Sequence, residues 1–155
     1  MRVRPGRWAA LSLMVMSVGL LSGLPAAAAE GGLRRSHSGG GVTIDVTFLP
    51  SNGTSQDFRF NVRMNTHSVP LDGYDMAKLS LLRDGRGRLF PATAWTDPGG
   101  GGHHRKGVLV FPAKDKNGDP IIGGATKFLE VVIRDVAGVS ERVFRWELPL
   151  KTSSR

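Results

Sequence analysis

Cysteine is absent from all 155 residues. That single absence excludes a disulfide framework, thiolate zinc and blue-copper sites and cysteine nucleophiles. It also leaves no residue for lipid attachment at a processed amino terminus. The short-range histidine pairs HxH, HxxxH and HExxH are missing, and with them the most specific local signals for a metal site. No G-x-S-x-G elbow occurs, so Ser68 beside His67 does not make a triad. The glycine run 99–102 is not followed by a helical pattern, which removes a phosphate-cradling loop. Residues 115–119 open like a calcium loop, but Pro120 stands where glycine is required and Thr126 where a bidentate glutamate would sit. That segment reads as a hairpin turn. Helical periodicity is also missing, apart from one turn's worth of pattern at 72–78.

What is present begins with an export signal. Arg2, Arg4 and Arg7 precede an uncharged apolar stretch from Trp8 to Leu24. Pro25 and four alanines follow, with Ala27 and Ala29 suited to a signal-peptidase cut before Glu30. The uncharged run approaches the ~20 residues of a membrane anchor, but the proline and the small residues favour cleavage. The basic start has no adjacent arginine pair, so the general export route is predicted, with a secreted or periplasmic product. The predicted organisation is a signal peptide at 1–29, a flexible Gly/Ser/Arg leader at 30–40, a β-sandwich domain at 41–150 and a tail at 151–155. Removing the signal takes three of the 21 Lys+Arg residues and leaves 18 against 13 Asp+Glu, a charge of +5. Alternating signs along the chain read as a solubilising surface, and nucleic acid is not an expected partner.

Period-two alternation dominates the remainder. Val42, Ile44, Val46 and Phe48 share one face, with Thr43, Asp45 and Thr47 on the other. Phe58, Phe60, Val62 and Met64 repeat the pattern. Segments 78–83 and 88–95 flank the hairpin signal Asp84-Gly85-Arg86-Gly87, and Pro91 belongs at an edge or bulge. Residues 108–111, 128–134 and 144–148 complete about seven strands. The expected fold is all-β: an antiparallel sandwich of immunoglobulin-like type, with a small barrel as the alternative.

Candidate chemistry gathers in two segments read as loops, 64–76 and 95–107. They hold His67, His103 and His104, three of the four histidines. The fourth, His37, falls in the leader and reads as a solvated tail residue. Imidazole is the commonest neutral ligand for copper and zinc, so a site through His67 with His103 or His104 is expected, completed by Asp72 or Asp75. Met64 or Met76 would offer soft sulfur for cuprous ion, although Met64 also continues an apolar face. Of the adjacent histidines, one is expected to bind and the other to support it by a hydrogen bond. Two rival readings stand beside the metal site. One is an envelope interaction module using Trp95, Tyr74 and the basic loop; the other is a hydrolase using Asp72, Asp75 and His67 on a glycan or ester.

Three blocks occur together: M-N-T-H-S-V-x-L-D-x-Y-D at 64–75, G-G-H-H-R-x-G-V-L-x-F at 101–111 and E-R-x-F-x-W at 141–146, with Trp95 between the first two. Together they resemble a family of exported prokaryotic β-sandwich domains to which no activity is attached. The resemblance covers nearly the whole processed chain. It implies that His67 and the pair His103 and His104 share one site.

Overall fold

The computed structural model describes residues 32–50 and 57–150. The expected signal peptide and the tail at 151–155 lie outside the described residues. Nine strands are present among those described: β1 (Arg34–Gly39), β2 (Val42–Leu49), β3 (Asp57–Thr66), β4 (Ser80–Asp84), β5 (Leu89–Pro91), β6 (Ala94–Gly101), β7 (His104–Pro112), β8 (Phe128–Val136) and β9 (Val139–Glu147). They form two antiparallel sheets. Sheet A runs β1-β2-β3-β7-β6 and sheet B runs β5-β4-β8-β9. The molecule is a β-sandwich.

The alternation seen in the sequence sorts side chains onto the two faces of each sheet, as strand geometry requires. Ile44, Val46, Phe60, Val62, Met64, Leu109 and Phe111 from sheet A meet Leu82, Leu129, Val131, Ile133, Phe144 and Trp146 from sheet B. The Phe60 ring sits 5.1 Å from Trp146 and 5.7 Å from Phe111. These tilted and edge-on geometries suit aromatic quadrupoles. Met64 and Met76 are both fully buried in this core. Neither thioether is therefore presented to a metal.

Three expectations are corrected. The leader 30–40 is not wholly irregular, because residues 34–39 form β1, an edge strand paired with β2 from Arg34↔Thr47 to Gly39↔Val42. His37 is consequently not a solvated tail residue; it is half-buried, with its ring edge-on to Phe144 at 6.3 Å. The glycine run 99–101 is strand as well, the end of β6, so the segment 95–107 is a hairpin with a two-residue turn at Gly102-His103. The single helical turn expected at 72–78 has its counterpart in one turn at the end of that segment, closed by the Leu79 N–H donating to the Asp75 carbonyl at 3.0 Å.

Side chains close the margins between the sheets. Along the β1 and β9 edges, Trp146 Nε1 donates to the Leu33 carbonyl (2.8 Å), Arg35 Nε to the Arg145 carbonyl (2.7 Å) and Arg142 Nη2 to the Gly39 carbonyl (2.8 Å). Arg142 is fully buried and has no carboxylate partner among the described residues. Burial pulls its guanidinium below the ordinary arginine range, opposed by Tyr74. On the other margin the chain passes from sheet B to sheet A within residues 92–93: Ala92 N–H donates to the Ser80 carbonyl and Thr93 N–H to the Val110 carbonyl. Pro91 lies on the edge strand β5, where its missing N–H does no harm.

Candidate functional site at the histidine end

The strand order carries the two candidate segments to the same end of the sandwich. Strands β3 and β7 are antiparallel neighbours, and Asn65 lies opposite His104. Beyond that pair the Thr66 N–H donates to the His103 carbonyl at 3.0 Å, and His67 is the next residue in the chain. All three candidate imidazoles thus belong to residues within two ladder steps of one another. The loop then folds back: Leu71 N–H donates to the Gly102 carbonyl at 2.9 Å.

Local chemistry explains why the loop holds this shape. Thr66 Oγ1 donates to the Gly41 carbonyl (2.8 Å) and accepts from the N–H groups of Ser68 and Val69 (3.2 Å each). A threonine hydroxyl bonded in this way turns the chain directly after β3. The tight β6–β7 hairpin needs Gly100 at φ +75, where a β-carbon would collide with the His104 carbonyl. Gly107 has a different reason: a β-carbon there would overlap the indole of Trp95, which lies against it. Arg105 sits over the same indole, its guanidinium carbon 5.8 Å from the ring centre. That is cation–π range. Its Nη1 donates to the Leu71 and Tyr74 carbonyls at 2.9 and 2.6 Å, fixing the loop to the hairpin.

Both candidate carboxylates are held by the chain itself. The Gly102 N–H donates to the Asp72 carboxylate at 2.9 and 3.1 Å, a contact that ties the loop to the hairpin turn. Asp75 caps the N–H of Lys78 at 3.3 Å and pairs with its ammonium at 2.8 Å. The Lys78 side chain, followed by its N–H, holds the Asp75 carboxyl below the usual carboxylate range. Among the described residues no group of three or more His, Asp or Glu side chains converges on a common point.

The histidines differ in role. His67, His103 and His104 are all exposed. His104 Nδ1 lies 3.0 Å from Asn65 Oδ1. An amide oxygen only accepts, so Nδ1–H is the donor in this contact, and in the neutral ring the lone pair is then on Nε2, facing away from the bond. The sequence reading expected the other histidine of the pair to give this support; the Asn65 amide gives it instead, and its part follows from the cross-strand register. Trp95 and Tyr74 turn out to be packing residues: the Tyr74 hydroxyl accepts from the Ala137 N–H at 2.9 Å, and Trp95 packs against the core. A partner would meet imidazoles rather than these rings.

Two cavities, of about 330 and 400 Å³, lie at the opposite end, beside the β4–β5 turn. They share Arg86, Ala125 and Thr126 and contain none of the candidate histidines or aspartates. Residues 115–119 form the expected turn there, with Asp115 Oδ1 accepting from the N–H groups of Asn117 and Asp119.

Fold and site together define an all-β sandwich capped at one end by a hydrogen-bonded loop and hairpin that display three histidines. Comparison with protein families, curated proteins and solved structures finds no match.

Proposed function

We propose that this chain is an exported, non-enzymatic β-sandwich protein that works by binding, in the envelope or outside the cell, through its histidine-bearing end. The observation that carries this reading is the closure of that end. Asp72, the residue a hydrolase reading needs as acid or base, is engaged by the Gly102 N–H and serves to fasten loop to hairpin. Asp75 is engaged by Lys78. A catalytic carboxylate pair requires a cleft around it, whereas Asp72 and Asp75 line neither of the two cavities and each is engaged by the chain itself.

The test is site-specific photo-crosslinking in producing cells, with the reactive side chain at position 103 and, as control, at Val143 on the far sheet. A discrete adduct from position 103 alone supports the reading. Equal adducts from both positions, or turnover of a glycan or ester that Asp72→Asn abolishes, removes it.

A second reading, a copper or zinc ion held by His67 and His104, is favoured by one specific feature. Asn65 fixes the His104 tautomer with Nε2 free, as outer-shell partners of metal-binding histidines do. Calorimetric titration with Cu²⁺ and Zn²⁺ decides it. Binding tighter than ~10 μM that is lost in the His67→Ala, His104→Ala double variant supports a metal role, since a dissociation constant of that order is worth about 7 kcal/mol. Absence of heat, or unchanged binding in the variant, ends it.

A further inference from the structure

The outward face of sheet A leaves two cations without a partner in a place where the fold gains nothing from them. Arg59, Asn61, Arg63 and Asn65 alternate along β3 with the core residues Phe60, Val62 and Met64, and therefore point away from the core. In the ladder Arg63 stands directly opposite Lys106 of β7 on one side and Asp45 of β2 on the other. Like charges directly opposite on one sheet face repel. Asp45 would be the natural remedy, yet its Oδ2 pairs with Arg34 at 2.9 Å and its buried Oδ1 has no hydrogen-bond partner among the described residues. Among the described residues neither Arg63 nor Lys106 comes within 4.0 Å of a carboxylate. Lys106 continues the face outward over Gly99 of β6, its Cε 3.0 Å from where a β-carbon would stand. The neighbouring pair Arg59 and Asp97 is 4.0 Å apart and largely solvated.

Around these cations lies a field of neutral hydrogen-bonding groups. Asn61 and Asn65 flank Arg63 along β3, Thr43 and Thr47 sit opposite them on β2, and Thr96 borders the field on β6 through Val108. The face carries amides and hydroxyls beside unneutralised cations and, among the strand residues that point outward here, no phenylalanine, tyrosine or tryptophan; the imidazole of His104 lies at its edge.

The geometry points to this face as a binding surface for an acidic polysaccharide, with Arg63 and Lys106 taking its carboxylate or sulfate groups and Asn61 and Asn65 its hydroxyls. The chemistry selects this ligand over other polyanions. Single-stranded nucleic acid is held by stacking on successive aromatic side chains, and here the one outward ring is the His104 imidazole, already bonded to Asn65. Docking on a lipid surface requires apolar side chains that enter the bilayer, whereas Val108 and Val110, the apolar residues outward on β7, are 9% and 8% exposed. An acidic peptide would also satisfy the cations, but it carries fewer hydroxyls than a sugar chain for the amide and hydroxyl field, and polyaspartate stands for it in the test. The surface is centred on Arg63 and Lys106 and meets the histidine end at Asn65, opposite His104; its cations are not part of that reading.

The test is equilibrium binding of the purified protein to polygalacturonate, with neutral dextran, polyaspartate and duplex DNA as comparison polymers. Polygalacturonate is expected to bind and dextran not to. The Arg63→Ser, Lys106→Ser double variant should lose about tenfold or more in affinity. Arg134→Ser with Arg145→Ser removes the same charge from sheet B and should lose less than twofold. Asn61→Ala with Asn65→Ala should weaken polygalacturonate binding severalfold while leaving any residual polyaspartate binding unchanged. The urea midpoint of each variant confirms folding. No binding to polygalacturonate, equal loss from either double charge removal, or tighter binding to polyaspartate or DNA than to polygalacturonate overturns the assignment. The His67→Ala, His103→Ala variant, which leaves the His104–Asn65 bond in place, should bind polygalacturonate as the parent does, so failure here and failure of the histidine-end reading are separable.

Discussion

The two outward faces of the sandwich both carry arginines and lysines, but they settle their charges in opposite ways. On sheet B, Glu130 accepts from Arg83 at 2.6 Å and pairs with Arg145 at 3.5 Å, while Glu141 meets Arg83 at 3.3 Å and Arg134 at 3.5 Å. Cross-strand register makes this possible, because Arg83↔Glu130↔Arg145 form one row and Arg134↔Glu141 another. Between the rows runs an apolar line, Leu81↔Val132↔Val143. On sheet A the corresponding row places Arg63 opposite Lys106, and neither reaches an acid among the described residues. Among the described residues each outward arginine of sheet B has an acid and the outward cations Arg63 and Lys106 of sheet A have none. The lesson is that net charge, mildly basic here, says little about binding until register shows which charges have partners.

The sharpest way to break this comparison is to remove the acid at the centre of the sheet B row. Glu130 is 7% exposed between two arginines, and Glu130→Ala leaves Arg83 only its longer contact to Glu141 and Arg145 only the exposed Glu147. A loss of about 2–3 kcal/mol in the urea unfolding free energy is expected. A loss below about 0.5 kcal/mol, the range of an ordinary surface substitution, would show that the ladder does not support the fold.

A smaller effect tests the acid side of stability at the β4–β5 hairpin. Burial pushes the Asp84 carboxyl up, but the Arg88 side chain and the N–H groups of Arg88 and Arg86 outweigh it and hold the group below its ordinary value of 3.8. A depressed folded-state pKa contributes stability that is complete above the unfolded value and is lost as pH falls through the folded one. The window therefore lies below about pH 4. Asp84→Asn should cost about 1.5 kcal/mol at neutral pH and flatten the decline of stability below about pH 4. An unchanged acid limb in urea titrations across that window would remove Asp84 as its source.

The smallest change sharpens the contrast from the other side. Lys106→Glu places an acid opposite Arg63, and a gain of about 0.5 kcal/mol is expected for an exposed cross-strand pair. The gain should vanish at about 1 M salt, where the screening length falls to about 3 Å. Destabilisation at low salt would mean that Arg63 and Lys106 do not repel each other in the native fold.

Much of the fold could be read directly, because strand geometry has a period of two and the sequence shows it. Val42 to Phe48, Phe58 to Met64 and Phe144 to Leu148 point inward as their alternation predicts. Strand β1 was not legible, since Arg34–Gly39 contains no large apolar residue. Its inward positions are Arg35, His37 and Gly39, which gain a place only by meeting Trp146, Phe144 and Arg142 of β9. The end of β6 was hidden for a related reason: glycines have no side chains to alternate, and pairing with Lys106, Arg105 and His104 is what makes them strand. For the site, the meeting of the two histidine segments was legible in outline. The engagement of Asp72 by Gly102, and of His104 by Asn65, was not, because each joins residues far apart in the chain.

The sequence by itself determined the all-β class, the inward residues of the main strands, the tight turns and the exclusion of every cysteine-dependent chemistry. These follow from local rules in which each residue's neighbours in the chain suffice. Tertiary structure alone decided which cation faces which acid and which carboxylates serve the fold. Those outcomes depend on strand order and register, and a shift of one residue would exchange the buried and exposed sides of an entire strand.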